Sequence, residues 1–252
     1  MPTWSDENTV VADLPKKCFE HLIMAIRIID LETTGIDSTD HVVEVGSVDL
    51  LPDGSIGKYQ EYLIKPPCPI PAEARAVHHI SDEDVAQAKP WNTVCSAFFD
   101  RENCSDLVAF AAHNAAFDQQ WLPPDLLGNL PLICTYKAAV RIWPEAPRHT
   151  NQVLRYWLDL DMDRSLADRA HRAMPDAYVT AHLLREILKH ASIEELIRWT
   201  NEPVLLPRVP FGKHRGQNWA DVPPDYLQWI LRQQDMNEDV VHTARHHLAE
   251  RS

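Results

Sequence analysis

The stretch RIIDLETTG, residues 27–35, places two acidic side chains at the end of an apolar run. The run is rich in β-branched residues and is followed by two threonines and a glycine, which predicts a buried strand that ends in a turn. Residues i and i+2 of a strand point to the same face, so Asp30 and Glu32 are predicted to lie side by side. Two ionised carboxylates at such a short distance repel each other. Their hard oxygen atoms are ligands that suit Mg²⁺ or Mn²⁺ rather than zinc. The pair indicates either a metal site or two solvated acids beyond a strand end.

The composition is that of a globular protein with an acidic balance. The chain has 252 residues, 45% hydrophobic content and a net charge of −13. No apolar run approaches the roughly 18–20 residues of a membrane span, and no signal-peptide pattern opens the sequence. Five cysteines, never spaced CxxC, argue against a disulfide framework and a zinc site. This cysteine usage favours a reducing, cytoplasmic location.

Two local basic segments run against the acidic balance. Residues 208–215 carry three basic side chains, one histidine and no acid. Residues 134–155 carry one acid and four basic side chains, Lys137, Arg141, Arg148 and Arg155. Nucleic-acid binding needs such a basic footprint, so both segments are candidate phosphate contacts. The alternative is solvated surface charge.

The order of predicted elements divides the chain into four parts. Residues 1–23 show no clear period and end just before Met24, which predicts a flexible and dispensable N-terminal extension. Residues 24–192 are predicted to form one α/β domain, with three strands joined by short connections and then alternating strands and helices. Residues 193–207 contain prolines and are the predicted linker. Residues 208–252 form a small predicted α+β module.

The individual elements are predicted from apolar periodicity. The clearest helix covers residues 176–190, where apolar residues recur every three and four positions. In the C-terminal module, Trp219 and Trp229 are both predicted to be core residues. The predicted strands cover residues 25–32, 41–51, 58–66, 106–113 and 131–136.

Two later motifs add acids and a histidine to the first pair. HNAAFD places Asp118 in the first turns of a helix that follows a strand. HRAMPDA places His171 five residues before Asp176, which opens another helix. Taken singly, each has an ordinary explanation, because acids are favourable near helix N-termini and histidines are common on surfaces.

Together, DLETTG, HNAAFD and HRAMPDA resemble the three exonuclease motifs of the DEDD superfamily. The resemblance covers about residues 25–190, and His171 followed by Arg172 is similar to the histidine branch, which is DnaQ-like. EARAVHHISDEDV, with His78, resembles the connecting segment of that branch. LICTYKAAVRIWP and the tail PFGKHRGQNWADVPPDYLQWIL are similar to bacterial members that carry this kind of C-terminal module. The functional positions of the superfamily are all filled, by Asp30, Glu32, Asp118, His171 and Asp176.

The resemblance implies a ribonuclease H-like fold, with a mixed five-stranded sheet flanked by helices, and a metal-dependent 3′→5′ exonuclease. His171 would act as general base and release nucleoside 5′-monophosphates from DNA 3′ ends, single-stranded or at frayed or mismatched duplex ends. The implied role is DNA repair or end trimming. Two Mg²⁺ or Mn²⁺ ions would be held by Asp30, Glu32, Asp118 and Asp176.

Further residues are candidates for binding the substrate. The turn of Thr33, Thr34 and Gly35 is placed to receive the terminal 3′-hydroxyl, and His78 occupies the usual histidine of the branch. Asn114 is a candidate for positioning a phosphate or a carboxylate. The alternative for Thr33 and Asn114 is local turn and cap bonding. The basic segment 134–155 is predicted to lie along the incoming strand, and the phosphates upstream of the 3′ end are assigned to Lys213 and Arg215.

Three other functions are compatible with the same motifs. An RNA 3′→5′ exonuclease would have the same carboxylates, because the 2′-hydroxyl is recognised by contacts that the motifs do not identify. A proofreading subunit of a polymerase is the second. The third is a binding module with vestigial catalysis, against which the intact set of five residues argues.

Overall fold

A computed structural model describes residues 24–99 and 106–251 and contains a mixed five-stranded sheet. The strand order is β3-β2-β1-β4-β5, with β2 antiparallel to both β1 and β3, and with β4 parallel to both β1 and β5. The predicted sheet is therefore confirmed, whereas the predicted extension of residues 1–23 lies outside the described residues. The strands are β1 (Ala25–Thr33), β2 (Val42–Leu50), β3 (Ile56–Leu63), β4 (Leu107–Ala112) and β5 (Leu132–Cys134).

Helices cover both faces of the sheet and make up most of the C-terminal part. None of the described helices is long and apolar enough to cross a membrane. Two 3₁₀ turns, Gly212–His214 and Trp219–Asp221, lie in the C-terminal module. The described helices are α1 (Ala72–His78), α2 (Trp91–Phe98), α3 (Ala115–Asp118), α4 (Thr135–Ile142), α5 (Asn151–Trp157), α6 (Arg164–Ala167), α7 (Ala173–Ile187), α8 (Ile193–Asn201), α9 (Pro224–Ile230) and α10 (Glu238–Ala249).

Strand β1 is buried on both faces, and this determines where its acids point. Ile28 belongs to the apolar cluster that contains α7, whereas Ile29 belongs to the cluster on the opposite face with α2. Side chains two apart share a face, so Asp30 and Glu32 continue the row of Ile28 toward α7. The apolar part of that row fixes the helix against the sheet, and its polar end faces the first turn of α7.

Gly46 allows α7 to approach the sheet at the level of Asp30. It pairs with Asp30 across β1 and β2. A Cβ atom at Gly46 would lie 2.2 Å from the backbone nitrogen of Met174 and 2.3 Å from the carbonyl carbon of Ala173. Backbone cannot yield as a flexible side chain does, so any larger residue would displace the N-terminus of α7.

The C-terminal module shares its core with the rest of the chain. Trp219 is 1% exposed and packs with Leu227, Ile230 and Val140, the last of which belongs to α4. The prediction for Trp219 is confirmed. The prediction for Trp229 is wrong: it lies on the opposite side of α9 from Leu227 and is 43% exposed.

The predicted linker, residues 193–207, begins with helix α8. Leu196 of α8 is buried in the main core, so this part of the segment packs on the sheet domain. Ser192 caps the helix through a capping box with Glu195, a signal that the sequence carries and that the prediction did not use. The division into domain, linker and module stays a prediction.

Candidate active site

Three elements bring four carboxylates and a histidine to one end of the sheet. Asp30 and Glu32 lie on β1, and Asp118 is the last residue of α3 and 3% exposed. Asp176 lies in the first turn of α7. Ligand atoms of Glu32, His171 and Asp176 all lie within 4.8 Å of one another. The structure thus gathers the residues that the three motifs supplied.

Burial raises the pKa of every carboxyl in this group, and repulsion between neighbouring carboxylates raises the pKa of Asp30 and Glu32 further. Burial raises the pKa of Asp30 well above its usual value, and the neighbouring charges of Asp176, Asp118 and Glu32 raise it further. Burial raises the pKa of both Glu32 and Asp118 to about 8, and nearby carboxylates add to the effect at Glu32. The pKa of Asp176 is also raised by burial. Four acids in this state fit a divalent cation, whose charge removes the repulsion.

The raised pKa values predict how the stability of the metal-free protein depends on pH. Glu32 and Asp118 keep their protons in the folded state up to about pH 8 and lose them near pH 4 when unfolded. The folded chain therefore binds more protons across that interval, and stability falls as pH rises. His113 and His182, with pKa values lowered by burial to about 4, have the opposite effect, but only below about pH 6.5.

We expect the melting temperature in EDTA to fall between about pH 6.5 and 8, by about 3–5 °C per pH unit for each proton that unfolding releases. Saturating Mg²⁺ should remove the decline. The double variant Glu32→Gln/Asp118→Asn should show a smaller decline in EDTA, because of the four site carboxyls only Asp30 and Asp176 still carry a pKa raised by burial. A melting temperature that rises across this interval in the wild-type chain would contradict the strained-carboxylate interpretation. Differential scanning calorimetry provides the measurement.

His171 precedes α7 in an uncommon backbone conformation. Its φ is +59°, in the left-handed region, and its N–H donates to Oδ2 of Asp176 at 2.8 Å. Such a conformation costs on the order of 1–3 kcal/mol and persists where surrounding contacts hold it. The ring is exposed. The backbone bond therefore holds the residue that carries this exposed imidazole beside the Asp176 carboxylate.

Two residues of α5 hold Asp176 from the other side, and the motifs did not identify them. Nε2 of Gln152 donates to Oδ1 of Asp176 at 3.1 Å. Nδ2 of Asn151 donates to the Asp176 carbonyl at 3.2 Å and to Oγ1 of Thr180 at 2.8 Å. With the His171 N–H on Oδ2, both carboxylate oxygens of Asp176 are oriented. No motif marks these positions, since a polar start to a short helix is common.

A fifth acid, Glu44, lies next to the group and is fully buried. It pairs with Glu32 across β1 and β2 and is 0% exposed. The guanidinium of Arg172 donates to both of its oxygens, with Nε at 3.0 and 2.9 Å. The N–H of Ala173 donates to Oε2 at 2.8 Å. Glu44 therefore neutralises Arg172, caps α7 and fixes the backbone that carries His171.

Replacing Arg172 with Ala should destabilise the chain by roughly 3–5 kcal/mol, because Glu44 would remain buried without its counter-charge. Arg172→Lys should recover part of the loss, since it keeps the charge but not the two-pronged geometry. Urea denaturation gives the stabilities. The double variant Arg172→Ala/Glu44→Gln has no uncompensated buried charge and should be more stable than Arg172→Ala. If it is equally unstable, Arg172 does not act by neutralising Glu44.

The turn after Glu32 is closed by its own hydrogen bonds. Oγ1 of Thr34 donates to Asp40 at 2.9 Å and accepts from the His41 N–H at 3.0 Å. Oγ1 of Thr33 donates to the Gly35 carbonyl. The Asp40 carboxylate occupies the space where a Cβ of Gly35 would lie. Both hydroxyls assigned to the 3′-hydroxyl thus bond within the turn, which for Thr33 matches the local-bonding alternative; the contact with the 3′-hydroxyl stays a prediction.

The other two core-domain candidates differ in accessibility. His78 is 1% exposed, burial lowers its pKa, and its Nδ1 accepts from the Ile80 N–H at 3.0 Å. Asn114 has φ +65° and makes no side-chain cap bond. It lines a cleft of about 400 Å³ with Lys137 and Asp239. Asn114 is exposed and lines this cleft, whereas the His78 ring is buried; a substrate contact by either residue stays a prediction.

Most cations of the basic segment 134–155 already bind groups of the protein itself, so its role along the substrate strand stays a prediction. Nζ of Lys137 donates to the Thr200 and Glu202 carbonyls, both at 3.1 Å. Arg141 donates to the carbonyls of Glu202 and Pro203. Arg155 is 5% exposed and donates to the Ala167 carbonyl and to Asp168. Arg148 is exposed, as are Lys213 and Arg215 of the module.

The mixed sheet and the convergent acids beside a histidine define the DEDDh class of exonuclease. The chain belongs to the Exonuclease family (RNase_T), whose model matches residues 28–184. Exodeoxyribonuclease 10 of Escherichia coli strain K12 is 35% identical over 230 residues, which cover 88% of this chain and 98% of that protein. The predicted family and its bacterial branch with this tail are confirmed.

Solved structures agree with this membership. The structure of Exonuclease X in complex with 5′ overhanging duplex DNA aligns with a TM-score of 0.60 and 32% identity, over 70% of this chain and 99% of that chain. The nuclease domain of 3′hExo, a DEDDh family member bound to rAMP, aligns at TM-score 0.54 and 15% identity, over 66% and 92% of the two chains. The ribonuclease H-like fold predicted from the motifs is therefore confirmed.

Proposed function

We propose that the chain is a metal-dependent 3′→5′ exonuclease that releases nucleoside 5′-monophosphates from DNA. The observation that carries this proposal is the meeting of four pKa-raised carboxylates with an exposed histidine. DNA as the substrate is supported by the likeness to exodeoxyribonuclease 10 along most of the chain. A role in repair or end trimming and a cytoplasmic location stay predictions.

Asp30, Glu32, Asp118 and Asp176 would hold Mg²⁺ or Mn²⁺, because hard carboxylate oxygens are the donors these ions prefer. A divalent ion bound there supplies positive charge that acidifies water and stabilises the negative charge of the phosphate undergoing hydrolysis. Two ions per site, as the family resemblance implies, stay a prediction.

The protein's own contribution is to place and orient the groups that move the proton. His171 accepts the proton of the attacking water at its ring nitrogen, because its exposed ring lies beside Glu32 and Asp176. The 2.8 Å bond from its N–H to Asp176 keeps the ring's backbone in place during this transfer. Gln152 keeps the second oxygen of Asp176 from rotating. The buried Glu44–Arg172 pair fixes the start of α7 behind both residues.

Digestion of matched DNA and RNA oligonucleotides, labelled at either the 3′ or the 5′ end, tests the proposal. With Mg²⁺, 3′-labelled DNA should lose its label as a mononucleotide at once, and 5′-labelled DNA should give a descending ladder. EDTA should stop both. Faster digestion of RNA than of DNA would identify RNA as the preferred substrate. Release of the 5′ label before the 3′ label would contradict the 3′→5′ direction.

A further inference from the structure

We propose that the C-terminal module carries a site for single-stranded nucleic acid, in which Tyr226 and Trp229 form a stacking surface beside Lys213 and Arg215. The inference deepens the proposed function and rests on it for the identity of the substrate. It adds an aromatic surface to the two basic residues. The name aromatic platform is used below for Tyr226 and Trp229 together.

In the aromatic platform, Trp229 lies on the outward side of helix α9, and Tyr226 is half-buried at the edge of the module core. Leu227 and Ile230 are 0% exposed and fill the module core, whereas Trp229 is 43% exposed. The Trp229 and Tyr226 rings are stacked, with centroids 5.2 Å apart and planes inclined by 26°. Trp219 already supplies the large aromatic of the core, so the core does not need Trp229. An indole held flat against a second ring and left in solvent is a surface on which a base can stack.

The basic turn is held against the same ring. Nζ of Lys213 lies 5.3 Å from the centroid of Tyr226, and the His214 ring meets Tyr226 edge-on at 4.5 Å. Gly212 has φ +64°, and a Cβ there would lie 2.6 Å from the Tyr226 hydroxyl. A glycine is therefore required for the turn to come this close. The turn and the aromatic platform form one surface.

The cations of this surface are available for phosphates. Lys213 and Arg215 are exposed, and neither lies within ion-pair distance of an acid in residues 24–99 or 106–251. Arg232 is also exposed, three residues beyond Trp229 on the same side of the helix. In a chain with net charge −13, uncompensated cations beside stacked aromatic rings mark a local anionic partner.

Single-stranded nucleic acid fits this surface better than a protein does. Binding of single strands combines aromatic stacking of bases with cations along the backbone, and the platform offers both within one turn and one helix. A protein partner would require a contiguous apolar patch. Around Trp229 the aliphatic neighbours Leu227 and Ile230 point into the core, which leaves an isolated aromatic pair bordered by charge.

The test uses the full chain and a fluorescent 20-nucleotide oligo-dT, with anisotropy measured in EDTA so that binding is separated from hydrolysis. Trp229→Ala should raise Kd by about tenfold, in the range of one lost base stack. Trp229→Phe should keep most of the affinity. Lys213→Ala/Arg215→Ala should reduce the slope of log K against log salt by about 1.4, from two lost phosphate contacts.

Matched controls come from exposed residues of the core domain. Trp157 is 39% exposed on α5, and the side chain of Lys189 is 61% exposed near the end of α7. Trp157→Ala and Lys189→Ala should leave Kd unchanged. If Trp229→Ala binds like the wild type, or loses no more than Trp157→Ala, the inference is overturned.

Turnover of a trinucleotide distinguishes this inference from the proposed function. A strand that short does not need the platform, so Trp229→Ala should digest it at the wild-type kcat. Wild-type digestion of the trinucleotide, together with a Kd that is indifferent to Trp229, overturns the platform and leaves the exonuclease standing. Binding that depends on Trp229 in a chain that digests nothing supports the platform and overturns the proposed activity.

Discussion

Replacing Asp30 with Asn should abolish detectable exonuclease activity in saturating Mg²⁺, a loss of at least about 10³-fold in kcat. Asp30 lies at the centre of the acidic group, and its pKa is raised by burial and by three neighbouring acids of the site. Removing one carboxylate takes away a ligand and a negative charge, so the site should bind Mg²⁺ more weakly. The same change relieves repulsion, so the metal-free variant should melt at a higher temperature than the wild type.

Asp53→Asn is the matched control for this prediction. Asp53 is an exposed acid in the turn between β2 and β3, and its side chain accepts hydrogen bonds from the N–H and hydroxyl of Ser55. Both activity and metal dependence should be unchanged in this variant. Isothermal titration with Mg²⁺ and single-turnover digestion separate binding from chemistry. Near-native turnover by Asp30→Asn would contradict the metal assignment.

Replacing His171 with Ala should lower kcat by about 10²–10⁴ while leaving metal and DNA affinity within a few-fold of wild type, because a general base acts in the chemical step. The backbone N–H of residue 171 remains, so its bond to Asp176 can persist in the variant. His246→Ala is the control, since this histidine is exposed on α10 near Glu250. A loss confined to KM would assign His171 to substrate binding instead.

The motifs predict the site residues well because each one combines a local pattern with a fixed chemistry. Alternation along β1 gives the shared face of Asp30 and Glu32, and the helix that follows β4 gives Asp118. The start of α7 is predicted three residues late, at 176 rather than Ala173. Its first N–H is capped by Glu44, which lies 129 residues away in sequence. A cap from a distant strand leaves no local signal.

The residues that were missed or misassigned share one physical cause. Glu44 follows VV and precedes VG in an ordinary strand, and nothing nearby shows that Arg172 will cover it. Lys137 and Arg141 look like a nucleic-acid surface, yet they donate to carbonyls in the last turn of α8 and just beyond it. Trp229 looks like a core residue, but the core of the module is built around Trp219 instead. In each case the role of the side chain depends on a residue that is distant in sequence and close in the fold. The apolar periodicity of the sequence carries no information about such a neighbour.

The packing of Val140 against the C-terminal tail matters for any attempt to produce a shortened form of the nuclease. The family model ends at residue 184, yet Val140 of α4 is 2% exposed and belongs to an apolar cluster with Val204, Leu227 and other side chains of the tail. A fragment ending after α8 would open that contact to water and strip Lys137 and Arg141 of part of their backbone partners. The end of the family model and the end of the packed core therefore fall at different points of the chain.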